Sequence, residues 1–337
     1  MTEAHLEHIP IAVSEADMRL DRMLRKRFAG LSQGVIEKYL RTGKIRVNGQ
    51  RIKASHRLAM GEDITMPREL LMLLAQSHHA GGQGKTASAK PSRPVSKDLI
   101  ATLRHAVIHE TDAYIALNKP SGLAVQGGTG THQHIDGALA AAFPDGEKPL
   151  LVHRLDRDTS GVLVVAKTAL SARALAKGFQ GRQHSKYYLA LVLGKPSDHE
   201  GVIQAPLLKS GGHGNEKMVV DFDKGQKAET AFTRLDTIGG KVSLMLLEPW
   251  TGRTHQLRAH MLALGCPILG DGKYGGADVF LNDQVRRLCL HAVRLDLEAS
   301  PPLIADLPAD LRHLMRFFGF DPAAVMAMIN EMKPGKS

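Results

Sequence analysis

His153-Arg154-Leu155-Asp156-Arg157-Asp158-Thr159-Ser160-Gly161, followed at once by Val162-Leu163-Val164-Val165-Ala166, is the stretch on which the reading of this chain turns. The second part is a β-branched apolar run, the pattern of a strand buried on both faces. The first part sets one carboxylate, Asp156, between two arginines and closes in Asp-Thr-Ser-Gly, a polar turn cluster. A carboxylate flanked by guanidiniums at the mouth of a core strand is costly for a purely structural purpose. It suits a group that must stay ionised beside a polyanion. A surface ion pair is the plainer reading of the nonapeptide, because such pairs are common and weak.

Working outward, further strand patterns surround this one. Ala106–Ile108 and Tyr114–Pro120 read as strands, as do Tyr187–Leu193, 228–235 and 241–247. Leu170–Gln180 and Thr254–Leu264 carry helical spacing. Strands outnumber helices and do not alternate with them one for one. The expectation is an α+β fold with a mixed, mostly antiparallel sheet spanning about residues 100–325.

The N-terminal part differs in charge. The chain carries a net charge of +10, and the segment Arg19–Arg57 alone accounts for it, with twelve basic residues against Asp21 and Glu37. Leu20, Met23 and Leu24 have helical spacing, and Ser32 is placed to cap a second helix carrying Val35, Ile36, Tyr39 and Leu40. Ile45–Val47 and Arg51–Lys53 flank Asn48-Gly49-Gln50, which predicts a hairpin on a strong turn dipeptide. A small α/β module with one cationic face is the footprint of a nucleic-acid binder. Arg19, Arg22, Arg41, Lys44, Arg46, Arg51 and Lys53 are its candidate contacts. Residues 75–97 hold no acids and a single large aliphatic residue, Val95, which predicts a flexible linker.

Several function classes are disfavoured. Two cysteines give no disulfide framework and point to a reducing compartment. Apolar runs such as Leu70–Ala75 are far too short to span a bilayer. The first 17 residues carry four acids and no Lys or Arg, unlike a targeting segment. A cytoplasmic protein is expected. Gly127-Gly128-Thr129-Gly130 lacks the following Gly-Lys-Ser/Thr of a nucleotide-binding loop. His78-His79 has no further ligand at useful spacing, and His255 and His260 stand five apart, which does not match a metal helix. No metal is expected. In Gly252–His260 an arginine at a helix start, Arg253, would be an orienting partner for a nearby acid. Tyr187-Tyr188 reads as two strand tyrosines or as a platform for a base.

Taken together, these blocks resemble the ribosomal large-subunit pseudouridine synthases of the RluA/RluC/RluD group, nearest the RluC type. The matching residues are Asn118–Val125, His153–Gly161, Lys186–Val192, Gln204–Lys209, Ala228–Thr230, Thr251–His260, Gly270–Gly275 and Leu290–Ala292. The stretch Arg19–Leu24, with Ser32–Ile36 and Gly43–Gly49, resembles an S-four-type RNA-binding domain. The likeness runs from about residue 15 to 318. The long linker and the C-terminal extension from about 321 depart from it.

The resemblance implies an RNA-binding domain over 1–74, a linker over 75–97, a catalytic domain over 98–325 and a tail over 326–337. It implies that Asp156 is the essential carboxylate in converting uridine to pseudouridine in 23S ribosomal RNA or a large-subunit precursor. Arg253 would pair with Asp156, Tyr188 would stack on the uracil and Leu257 would line the pocket. Arg154 would fill the space left by a flipped base. No cofactor is implied, and a monomer is expected. Two rivals stand beside it. One is a non-catalytic RNA-binding or ribosome-assembly protein. The other is a glycoside hydrolase using Asp156 and Asp158, which the 4% aromatic content disfavours.

Overall fold

The computed structural model describes residues 6–11, 18–28, 31–59, 61–70, 95–127, 133–181, 183–212 and 216–333. The expected linker, apart from its last three residues, and most of the Gly127–Gly130 loop lie outside these. The chain divides into two compact units, Met1–Ser92 and Arg93–Ser337.

In the first unit, β1 (Leu6–Pro10), β2 (Arg46–Val47) and β3 (Asp63–Pro67) form an antiparallel sheet in the order β1-β3-β2. The helices Leu20–Arg27 and Gln33–Arg41 bury Leu20, Met23, Leu24, Ile36 and Leu40 against Val47, Ile64 and Met66. Ser32 caps the second helix, its hydroxyl accepting from Val35 N at 3.4 Å. The Asn48-Gly49 turn forms, with both residues at positive φ. The expected return arm does not: Arg51–Lys53 is no strand, and β2 pairs instead with β3. Ile64 and Met66 alternate with polar residues and bury beside Val47, a better match than Arg-Ile-Lys with its one apolar side chain. Arg19, Arg22, Arg41, Lys44, Arg46, Arg51 and Lys53 are exposed, the Arg19 guanidinium being held on Asp21 at 2.8 and 3.1 Å.

The second unit is built on one large sheet. Its strands are β4 (Val107–Glu110), β5 (Tyr114–Lys119), β6 (Leu150–Leu151), β7 (Ser160–Ala166), β8 (Ser185–Leu193) and β9 (Glu200–Gln204). After the hairpin β10 (Leu207–Ser210) and β11 (Lys217–Val220) come β12 (Glu229–Ile238), β13 (Val242–Pro249), β14 (Leu290–Asp296) and β15 (Leu303–Ile304). The order is β4-β5-β7-β14-β8-β13-β12-β9, with β6 on β7 and β15 on β14. Among the described strands, β7 and β14 alone run parallel, so the mixed, mostly antiparallel expectation holds.

Both faces of the central strands are covered. Ile115, Leu117, Leu163 and Val165 enter the main core, while Tyr114, Ala116, Val162 and Val164 enter a second core behind the sheet. That double burial is why β7 reads as an unbroken apolar run. Where β7 starts, Gly161 lies opposite Ala292 of β14 at φ +112; a Cβ there would sit 2.1 Å from the Ala292 carbonyl oxygen. Only glycine fits.

The expected boundary at 325 falls inside a helix, Pro322–Glu331. Ile329 on it is buried, and Arg294 Nη1 donates to the carbonyls of Ile329 at 2.7 Å and Met332 at 2.8 Å. The start of the expected tail, up to Met332, is therefore docked on the sheet. Asp321 caps this helix and its apolar side faces the core, a pattern the sequence carried in Asp-Pro-Ala-Ala-Val-Met-Ala-Met-Ile.

Two histidines bracket the approach to β7. His153 Nε2 accepts from Val164 N at 2.8 Å, and its ring packs on Phe179. His291 donates from Nε2 to Ala305 O and accepts at Nδ1 from Ser160 Oγ at 2.9 Å. Burial pulls both down, His153 to about 3 and His291 to about 4. Because the fold holds the neutral rings, the unfolded chain takes up their protons first. Stability from these groups is complete above pH 6.5 and is lost as pH falls from there toward 4 and below. Thermal melts should show Tm declining over that range, and His153→Gln, which keeps an acceptor but cannot titrate, should flatten the decline.

Candidate active site

Asp156 stands on the loop that feeds β7, and the structure pins that loop from several sides. The backbone turns tightly there, Thr159 N donating to Asp156 O at 3.2 Å. Lys119, at the end of β5, is fully buried. Its Nζ donates to Pro120 O at 2.9 Å, Leu123 O at 2.8 Å and Arg157 O at 2.8 Å, three acceptors for the three N–H bonds of an ammonium. Burial pulls this lysine down to about 7, against the upward pull of Asp158 and Asp156. Ser121 Oγ donates to Asp158 O at 2.7 Å and Arg157 Nε to Gly122 O at 3.2 Å. The segment after β5 and the Asp156 loop are thus one assembly.

Asp156 is half-buried and faces an open-mouthed cleft. Arg154, Lys186, Tyr188, Arg253, His255, Leu257 and Arg258 line it. The guanidinium that faces Asp156 belongs to Arg258, with Nη1 at 3.7 Å from Oδ2. Arg258 is itself held by Asp271 in a two-pronged pair, Nε at 2.7 Å and Nη2 at 2.6 Å, and its guanidinium lies over the Tyr274 ring.

The expected Arg253–Asp156 pair is therefore corrected. The sequence reading placed a helix start at Arg253; the helix is Gln256–Ala263, preceded by His255 in the left-handed region. Arg253 consequently lies at the start of the turn before the helix, its Nε donating to Lys227 O at 3.1 Å, although it still lines the cleft. Gln256 and His260 share one face of this helix: Gln256 Nε2 and His260 Nδ1 both meet Thr230 Oγ1, at 3.0 and 2.9 Å. His260 is buried, its Nε2 donating to Ala205 O, the place of a core histidine.

The other expected residues converge. Tyr188 on β8 reaches the cleft, and burial together with the Asp156 charge pushes its phenol above its ordinary range. Strand alternation turns Tyr187 the other way, under the Arg294 guanidinium. Leu257 forms an apolar wall. Arg154 is exposed at the mouth, its Nη2 on Thr254 Oγ1 at 2.9 Å.

Comparison with known proteins bears on this geometry. Residues 113–263 match the model for RNA pseudouridylate synthase, and residues 18–64 match the S4 domain. The chain is 35% identical to ribosomal large subunit pseudouridine synthase C of Vibrio cholerae over 316 residues, 90% of this chain and 95% of that protein. The chain belongs to the RNA pseudouridylate synthase family. The Escherichia coli protein of the same name is 35% identical over 294 residues, covering 85% of this chain and 87% of its own. The solved structure of human RNA pseudouridylate synthase domain containing 4 is 28% identical, with a TM-score of 0.56 over 65% of this chain and 95% of that one.

In this pseudouridine synthase the sequence reading missed Lys119, Lys186, Arg258, Asp271 and Tyr274. Lys119 stood in the quoted Asn-Lys-Pro block but reads as an exposed strand end. Burial lowers the Lys186 ammonium, which lines the cleft and lies over the Phe179 ring. Arg258 and Asp271 are thirteen residues apart, and nothing in their spacing announces a pair. An αL turn at His255 is the signal that would have moved the helix start and with it the choice of arginine.

Replacing Lys119 with Met leaves three partly buried carbonyls without their donor and frees the Asp156 loop. The synthase should lose about 3 kcal/mol of stability, seen as a Tm lower by roughly 6–12 °C. Catalytic turnover, measured below that Tm, should fall with it.

Proposed function

We propose that the protein converts specific uridines to pseudouridine in large-subunit (23S) ribosomal RNA, free or in a precursor, with Asp156 as the essential carboxylate. The observation that carries this reading is the Asp156 carboxylate beside the Arg258 guanidinium in an open cleft walled by Tyr188 and Leu257. The relatives named above are synthases of the ribosomal large subunit, and the S4 match supports an RNA-binding role for residues 1–74, with catalysis in 98–325.

The chemistry is an isomerisation. The C1′–N1 bond of uridine breaks, the uracil rotates, a C1′–C5 bond forms, N1 gains a proton and C5 releases one. No oxidant, reductant or energy source is consumed, so a carboxylate, a cation to hold it and an apolar slot for the base are sufficient parts. Asp156 acts at the sugar, as nucleophile or as the base that draws off a ribose proton. Tyr188 stacks on the uracil and Leu257 closes its other side. The uridine must leave its helix to reach them, at a cost of a few kcal/mol, and Arg154 at the mouth takes the vacated place. Arg253 belongs to the same cleft as an RNA contact. A cytoplasmic monomer without cofactor completes the reading; among the described residues no helix is long and apolar enough to cross a membrane.

Unmodified large-subunit rRNA carrying tritium at uracil C5 tests this directly. The wild-type protein should release label to water, and Asp156→Asn should release none while still binding the RNA. Equal release by both would remove Asp156 from the reaction, and none by wild type would leave a non-catalytic RNA-binding protein as the surviving account. The exposed cations of the first unit give a second test. Arg22→Gln, Arg41→Gln and Lys53→Gln together should weaken rRNA binding. For every phosphate that a variant no longer neutralises, the slope of log Kd against log salt should flatten by about 0.7–0.9. An unchanged slope would assign those residues elsewhere.

A further inference from the structure

His255 adopts a backbone conformation that calls for a reason. Its φ of 52° and ψ of 21° place a bulky residue in the left-handed region, a strain of about 1–3 kcal/mol, and its side chain does not cap the helix that follows. The ring lies where three cavities meet. One holds Asp156 and Tyr188, one is lined by Arg154, Lys209 and Lys217, and one by Arg157 and Arg287.

Its hydrogen bonds favour a proton on Nε2. Met218 N donates to Tyr274 Oη at 2.9 Å, and Tyr274 Oη lies 3.1 Å from His255 Nδ1. Among the described residues no other acceptor is in place for the phenol hydrogen, which favours a Tyr274 Oη–H bond donated to Nδ1. Nδ1 is then an acceptor, and in a neutral ring the hydrogen belongs to Nε2. Burial, the largest influence, favours that neutral ring; Asp156 and Asp271 pull toward the charged form, and Arg258 and Lys273 push away from it. The Tyr274 ring meets the imidazole edge-on, fixing its plane.

The protonated nitrogen is aimed at the reactive carboxylate. Nε2 stands 3.9 Å from Asp156 Oδ2, the same oxygen that Arg258 Nη1 approaches at 3.7 Å. No donor contacts Oδ1 among the described residues. We propose that His255 is a positioning residue for Asp156, donating from Nε2 to Oδ2 beside Arg258 so that Oδ1 is the oxygen presented to the ribose. The inference rests on the synthase reading given above. Closing 3.9 Å to a hydrogen bond takes a shift of about 1 Å, ordinary when a site tightens around its substrate.

Two substitutions separate this role from a purely structural one. Asparagine tolerates the left-handed conformation well but places no N–H where Nε2 stands; the longer glutamine amide reaches that place. A residue needed only for the backbone turn is replaced better by Asn, and a donor to Asp156 is replaced better by Gln. In tritium-release assays with the full chain, His255→Asn should lose kcat by roughly 10- to 100-fold with little change in KM, and His255→Gln should recover most of it. Tm should be no lower for Asn than for Gln. Tyr274→Phe, which releases Nδ1, should fall between wild type and His255→Asn. Nitrogen-15 NMR of histidine-labelled protein should report His255 protonated on Nε2 in the wild type.

Asn performing as well as Gln, a loss confined to KM, or a proton on Nδ1 would each overturn the proposal while wild-type activity leaves the synthase reading standing. A wild-type protein that releases no tritium would overturn both.

Discussion

A buried ammonium gripping three carbonyls is the constraint on which the site depends. Lys119 Nζ joins the carbonyls of Pro120 and Leu123 to that of Arg157, the residue after Asp156. A loop of this kind, rich in polar backbone and bearing a carboxylate, would otherwise lie loose on the surface. The cost of burying a lysine is offset by a fully matched set of acceptors, and the product is a carboxylate whose backbone is fixed to the central sheet. The His153–Val164 and Ser160–His291 hydrogen bonds extend the same hold to both ends of the loop.

Around that fixed point the electrostatics are layered. Arg258 faces Asp156 but is bound more closely by Asp271, which is fully enclosed. An arginine committed to a second carboxylate keeps its place whether or not substrate is present, which is preorganisation in the sense that matters for a transition state. Tyr274 packs against both Arg258 and His255, so a single aromatic ring sets the geometry of the two groups nearest Asp156. The apolar part of the cleft comes from other elements: Tyr188 from the sheet and Leu257 from the helix after β13.

Much of this was legible beforehand, for reasons that can be named. Strands β5, β7, β8, β12 and β13 showed because burial on one or both faces writes itself into short-range pattern. Ser32 as a cap and Asn48-Gly49 as a turn are local chemistry and formed where expected. The return arm at Arg51–Lys53 failed because strand pairing is a competition, and β3, out of reach of local pattern, offered a better partner. The C-terminal helix was passed over because its value lies in docking against Arg294, a contact spanning about 35 residues of chain.

The sequence alone determined the α+β class, the cationic N-terminal module, the family and the loop on which Asp156 stands, since each is recorded in composition, periodicity or a contiguous block of residues. Only the tertiary structure decided which guanidinium answers that carboxylate. The choice between Arg253 and Arg258 hangs on one left-handed residue at 255 that starts the helix two positions later than its spacing suggested. The partners that hold the winner, Asp271 and Tyr274, reach it through folding rather than through neighbourhood in the chain. Coulomb attraction and hydrogen bonding act over a few ångströms of space, and sequence separation carries no measure of that distance.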